Sequence, residues 1–137
     1  MTTIRKEFTL DADPDKVWEV VRDIGEVHRR LVPGVLTDAY LDGDGRVVTF
    51  ANGMVARERV VSLDEETRRF AYSVYDGLPG AIHHNASMEV LPDGAGGTRF
   101  VWITDVLPDE LGPRVAELME LGAQTMRRTL GPATADQ

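Results

Sequence analysis

The stretch LGPRVAELMELGAQTMRRTLG, residues 111–131, carries the longest helical pattern in the chain. Its apolar residues recur at steps of three and four, which places them on one stripe of an α-helix. The residues of this stripe are Leu111, Val115, Leu118, Met119, Gly122 and Met126. The spacing predicts a helix over residues 109–130 that stops at Gly131-Pro132. At about 1.5 Å per residue it is roughly 30 Å long, enough to cross a whole sheet.

Upstream of this helix, apolar and polar residues alternate in the pattern of half-buried β-strands. Seven strands are predicted over residues 3–10, 35–41, 46–51, 54–63, 69–75, 82–91 and 98–107. Asp13-Pro14, after the first strand, suits a helix N-terminus and predicts a helix over residues 14–24. Residues 26–31 have no clear pattern and fit a short second helix or a loop.

These elements predict an α+β fold with a single antiparallel sheet. Short turns join the later strands into a meander, and Asn52-Gly53 predicts a two-residue hairpin within it. A sheet with one apolar face must cover that face, and only the helix over residues 109–130 is large enough to do so. A strongly bent seven-stranded sheet rarely closes fully on one helix, which leaves room for a cavity between them.

Length and composition narrow the classes of function. The 137 residues fit one domain, expected over residues 1–131, with a disordered tail over residues 132–137. The net charge of −8 disfavours binding to nucleic acid, and the absence of cysteine excludes disulfide and thiol chemistry. No membrane span or signal peptide is recognisable, so a cytoplasmic protein is expected. No motif calls for a metal or another cofactor, and a homodimer is left open.

Glu58 is the first candidate for a polar group inside the cavity. Arg57 and Arg59 share one face of their strand, whereas Ala56, Glu58 and Val60 share the other. If the arginines face water, Glu58 faces the covered side of the sheet, where a carboxylate must be paired or hydrated. The alternative is an exposed Glu58 within a surface ladder of charges.

His84 is the second candidate. It alternates in step with apolar residues such as Ile82 and Ala86, so it is expected to point inward while His83 points outward. Adjacent strand residues face opposite sides, so the two histidines cannot bind one metal ion together. A histidine near a carboxylate can move a proton near neutral pH, so Glu58 with His84 is the one candidate acid/base pair. A wall histidine bonded to a neighbour or to water is the alternative.

Three stretches also carry a family resemblance. They are VWEVVRDI (residues 17–24) before Pro33-Gly34-Val35, RERVVSLD (57–64) continuing through RFAYSV (69–74), and GTRFVW (97–102) followed by Pro108 and the long helix. They resemble the helix-grip (SRPBCC, START-like) superfamily, and above all its bacterial polyketide cyclase/dehydrase-like members. START lipid-transfer domains, the major birch-pollen allergen and the plant abscisic-acid receptors belong to the same superfamily.

The resemblance implies a curved sheet wrapped around the long helix, with a ligand cavity between them. Receptor-like members place a cavity-facing acid at the position of Glu58, and members often carry tyrosine where His84 stands. The residues expected to contact a ligand are Glu58, Tyr72, His84, Trp102, Leu118 and Gly122.

Three functions remain open on the sequence alone. The first is binding or carriage of a small hydrophobic molecule such as a lipid, a polyketide or an aromatic metabolite. The second is an enzyme of the cyclase/dehydrase type in which Glu58 and His84 move protons. The third is a regulatory domain whose loops respond to a ligand. One superfamily hosts all three, so fold by itself does not choose between them.

Overall fold

The computed structural model describes residues 1–131, and the tail predicted over residues 132–137 lies outside the described residues. The strands are β1 Thr2–Leu10, β2 Leu36–Asp42, β3 Gly45–Phe50, β4 Val55–Asp64, β5 Arg69–Asp76, β6 His83–Pro92 and β7 Thr98–Leu107. The α-helices are α1 Pro14–Arg22, α2 Val27–Arg30 and α3 Gly112–Leu130. Single 3₁₀ turns, Ile24–Glu26 and Asp109–Leu111, precede α2 and α3.

The seven strands form one antiparallel sheet in the order β1-β7-β6-β5-β4-β3-β2. Strands β2 to β7 each pair with their neighbours in sequence, and β1 pairs along its whole length with β7. The sheet is curved and open, with α3 against its inner face. The predicted α+β helix-grip fold is confirmed. No helix within residues 1–131 is both long and apolar enough to cross a membrane.

The first helix begins as predicted and ends two residues early. The Asp13 carboxylate accepts the Asp15 N–H at 2.9 Å, and Pro14 occupies the first turn. Helix α1 ends at Arg22. The 3₁₀ turn that follows brings the carbonyl of Ile24 to the inner side of the sheet, where it accepts a hydrogen bond from β3.

Helix α3 packs its predicted apolar stripe against the sheet. Val115, Met119 and Met126 are buried, whereas Leu118 is half-buried at the edge of the stripe. A Cβ at Gly122 would lie 2.9 Å from the Trp102 ring. Glycine at this position therefore lets the helix approach the sheet closely.

Two local predictions are wrong. Between β3 and β4 the Phe50 N–H donates to the Met54 carbonyl at 2.8 Å, so the hydrogen-bonded turn encloses three residues, 51–53, rather than two. Gly53, at φ +91°, supplies the left-handed residue that such a loop requires. Ile82 was expected to point inward, but it precedes β6 and is 79% exposed.

Candidate ligand-binding site

A cavity of about 130 Å³ lies between the inner face of the sheet and α3. We call it the inner cavity, and side chains from α2, α3 and strands β2 to β7 line it. Most of them are apolar, among them Val48, Phe50, Ala56, Met88 and Met119. All six residues predicted from the sequence to contact a ligand lie on its wall, namely Glu58, Tyr72, His84, Trp102, Leu118 and Gly122.

A buried ion pair forms the polar part of the wall. Arg46 lies directly opposite Glu58 in the β3–β4 pairing, and its Nε donates to Glu58 Oε1 at 2.6 Å. Both side chains are buried, with 5% and 8% of their surface exposed. Arg46 also donates to the Ile24 carbonyl at 3.0 Å. Glu58 therefore faces inward as predicted, but a cation compensates its charge.

Aromatic rings complete the surroundings of the guanidinium. The Arg46 group lies 5.1 Å from the ring centre of Phe70 and 5.5 Å from that of Tyr72, distances at which cation–π attraction operates. Burial, and then the charge of Glu58, raise the pKa of Tyr72, so its hydroxyl stays protonated. The Trp102 indole is near enough to lower this pKa slightly. Its Nε1 nevertheless has no hydrogen-bond partner of acceptable geometry within residues 1–131.

His84 lies where strands β5 and β6 separate. Their pairing ends at Tyr72 opposite Ala86, and beyond that point the Val74 N–H donates to His84 Nδ1 at 3.0 Å. The Ser73 hydroxyl donates to the carbonyl of His84. The histidine side chain thus replaces a backbone acceptor at the end of the ladder.

The surroundings of His84 keep its ring neutral. Burial, and then the charge of His83, lower its pKa to about 4. The neutral ring carries one proton, and Nδ1 already accepts a hydrogen bond, so the proton resides on Nε2. His84 therefore offers the site an N–H donor at neutral pH.

The predicted acid and histidine are not paired with each other. Glu58 bonds to Arg46 and His84 bonds to the β5 backbone, and no hydrogen bond between described residues joins the two side chains. The two groups border the same cavity, and the Tyr72 ring centre lies 6.0 Å from that of His84.

A second, more polar cavity of about 260 Å³ lies at the separation of β5 and β6. We call it the outer cleft. It shares Val74, Leu78 and His84 with the wall of the inner cavity, and His83 lines only the outer cleft. The two adjacent histidines thus differ in position as their alternation predicts.

Neither space is arranged as a metal centre. Within residues 1–131, no three His, Cys, Asp or Glu side chains come together in a way that could hold a metal ion. His28, the remaining histidine, is half-buried on α2 and does not line the inner cavity.

The family model described as "Polyketide cyclase / dehydrase and lipid transport" matches residues 1–131. The chain belongs to this family. The predicted membership of the helix-grip superfamily is thereby confirmed, and it extends over every residue that contributes to the inner cavity. A search of curated proteins finds no match.

Solved structures agree with membership of the polyketide cyclase/dehydrase family. A protein from Thermobifida fusca, 26% identical, covers 93% of this chain and 91% of its own with a TM-score of 0.76. Major latex-like protein 151 of Panax ginseng is 16% identical and aligns over 93% of this chain and 95% of its own, with a TM-score of 0.77. The di-domain ARO/CYC BexL of BE-7585A biosynthesis, 13% identical, covers 94% of this chain and 46% of its own with a TM-score of 0.80. The last two likenesses show the fold alone.

Arg46 is the site residue that sequence reasoning missed in this member of the family. It is the first residue of the predicted third strand, 46–51, and a two-residue loop would have set it opposite Arg59. The three-residue loop shifts the pairing by one and sets it opposite Glu58. A buried carboxylate predicted without a partner was the available signal that a cation lay nearby.

Proposed function

We propose that this chain binds a small, mainly apolar molecule in the inner cavity. One observation carries the proposal: a predominantly apolar space of about 130 Å³ persists beneath α3 where a closed core would leave only small voids. Its polar groups are few and lie together on one part of the wall, the arrangement usual in small-molecule sites. Membership of a family of cyclases, dehydrases and lipid transport proteins supports the same conclusion.

The size of the cavity bounds the ligand. An apolar protein cavity of about 150 Å³ accommodates benzene, so the inner cavity suits a molecule of roughly one ring. A ligand of ~8 heavy atoms with a favourable binding free energy per atom should have a dissociation constant of ~0.1–1 mM. Burial rather than charge drives such binding, so high salt should change it little.

The test is a calorimetric titration with ethylbenzene, together with native mass spectrometry of the purified protein for a retained molecule. Ala56, 4% exposed on the cavity wall, provides the decisive variant, since Ala56→Leu extends a side chain into the space. Val61→Leu, at an exposed position of the same strand, is the matched control. Binding that is absent from the parent protein, or that Ala56→Leu leaves intact, would contradict the proposal.

A second candidate is proton-transfer chemistry of the cyclase/dehydrase type. It is favoured by one observation, that Glu58, Tyr72 and His84 border the same cavity in a member of that family. Against it, Glu58 is bound by Arg46 and Nδ1 of His84 accepts the Val74 N–H. Mass analysis of a poly-ketone substrate incubated with the protein, and with Glu58→Gln, distinguishes turnover from binding.

A further inference from the structure

The wall of the inner cavity carries one positive and one negative side chain, so their charges balance. Arg46 and Glu58 are the only residues with an ionised side chain among the described residues on its wall, and their hydrogen bond is 2.6 Å long. The Ile24 carbonyl takes a further Arg46 donor. An incoming carboxylate would therefore find no uncommitted cation, and it would approach Glu58, which carries the same charge. Moving an ion into such a space without a counter-ion is strongly unfavourable.

The hydrogen-bonding groups that remain include two donors. His84, on the wall of the inner cavity, carries its proton on Nε2, because its Nδ1 accepts the Val74 N–H. Tyr72 presents a protonated hydroxyl, because burial raises its pKa. The rings of Tyr72 and His84 are neighbours, 6.0 Å apart between centres. A ligand oxygen that accepts a hydrogen bond complements this pair, whereas a ligand without one leaves buried donors unsatisfied.

We propose that the inner cavity selects neutral molecules of about single-ring size that carry a hydrogen-bond-accepting oxygen, and that it rejects carboxylates of equal size. The inference rests on the proposed function, binding of a small apolar molecule. It narrows the class from hydrophobic molecules in general to neutral ketones, esters, amides and related oxygen compounds, and it excludes ionised fatty or aromatic acids.

Three size-matched probes test the inference: acetophenone, ethylbenzene and benzoate, each titrated calorimetrically at pH 8, where benzoate is fully ionised. Acetophenone should bind at least about tenfold more tightly than benzoate, because burying the unpaired charge of benzoate is strongly unfavourable. It should bind about three- to tenfold more tightly than ethylbenzene, the range of one neutral hydrogen bond.

Tyr72→Phe removes a single oxygen atom and should reduce the ratio of acetophenone affinity to ethylbenzene affinity. Tyr75→Phe is the matched control, since Tyr75 is exposed and lines the outer cleft instead. His84→Leu, which removes the N–H donor, provides a second variant if Tyr72→Phe does not fold, and His83→Leu is its control.

The outcomes separate the two proposals. Benzoate binding as tightly as acetophenone, or acetophenone no more tightly than ethylbenzene, overturns the neutral-acceptor inference and leaves the proposed function standing. A preference that survives in both Tyr72→Phe and His84→Leu, which removes the N–H donor, also overturns it. Failure of all three probes to bind overturns the proposed function and the inference together.

Discussion

Replacement of Arg46 by methionine tests the buried ion pair most directly. Methionine is unbranched and apolar, so Arg46→Met retains much of the side-chain volume and removes the charge. The change leaves the Glu58 carboxylate inside the protein without the donor now 2.6 Å away. It also frees the Ile24 carbonyl, which accepts from Arg46 at 3.0 Å.

The expected loss of stability follows from burial. Both side chains are less than a tenth exposed, so solvent can compensate the stranded charge very little. Breaking a buried pair by removing one partner lowers the free energy of unfolding by ~3–5 kcal/mol. Replacing both partners with apolar residues removes the stranded charge, so Arg46→Met/Glu58→Leu should recover most of that loss.

Urea unfolding at pH 7.5, followed by circular dichroism, measures these differences in stability as shifts of the unfolding midpoint, provided that the denaturant dependence (the m-value) is unchanged. Arg59→Met is the matched control, because Arg59 lies on the same hairpin and is exposed, with its guanidinium 4.7 Å from the centre of the Tyr75 ring. It should alter stability by about 1 kcal/mol or less. The reasoning fails if Arg46→Met is as mild as Arg59→Met, or if the double variant is no more stable than Arg46→Met.

Two further predictions concern His84 and Gly122. Folding lowers the pKa of His84 from 6.5 to about 4. The neutral ring therefore contributes its full share to the free energy of unfolding above pH 6.5. That free energy should fall by up to ~3 kcal/mol as the pH falls towards 4. His84→Gln should flatten that part of the stability profile in urea titrations across pH, while His83→Gln should retain it; equal slopes would contradict the prediction. Gly122→Ala puts a methyl group 2.9 Å from the Trp102 ring and should press the ring into the inner cavity. It should weaken ethylbenzene binding several-fold with a net stability change of only about 1–2 kcal/mol, since better helix propensity offsets the crowding; unchanged affinity would refute it.

Much of the fold was predictable because periodicity reports burial. The alternation in β4 sets Glu58 inward, the alternation in β6 separates His84 from His83, and the helical steps set Val115 and Met126 towards the sheet. Each of these assignments depends only on which face of an element is covered. Ile82 departs from its pattern because it precedes the strand, where alternation no longer determines direction.

Register and partners were harder to predict, because they depend on single residues in loops. The difference between a two-residue and a three-residue turn decides whether Arg46 faces Glu58 or lies opposite another arginine. The donor to His84 Nδ1 is a backbone N–H of β5, left free where the β5–β6 ladder ends. Side-chain alternation carries no information on where a ladder ends.

The same contacts that define the inner cavity bear on the choice between binding and catalysis. A general base must offer a free lone pair, with a pKa near the working pH, to the proton that it removes. Glu58 is engaged by Arg46, and His84 offers a donor rather than an acceptor because the Val74 N–H occupies Nδ1. A proton transferred to Glu58 would neutralise the carboxylate and leave the buried Arg46 charge without its counter-ion, which costs several kcal/mol. A ligand that accepts hydrogen bonds leaves the ion pair intact, so the geometry favours binding.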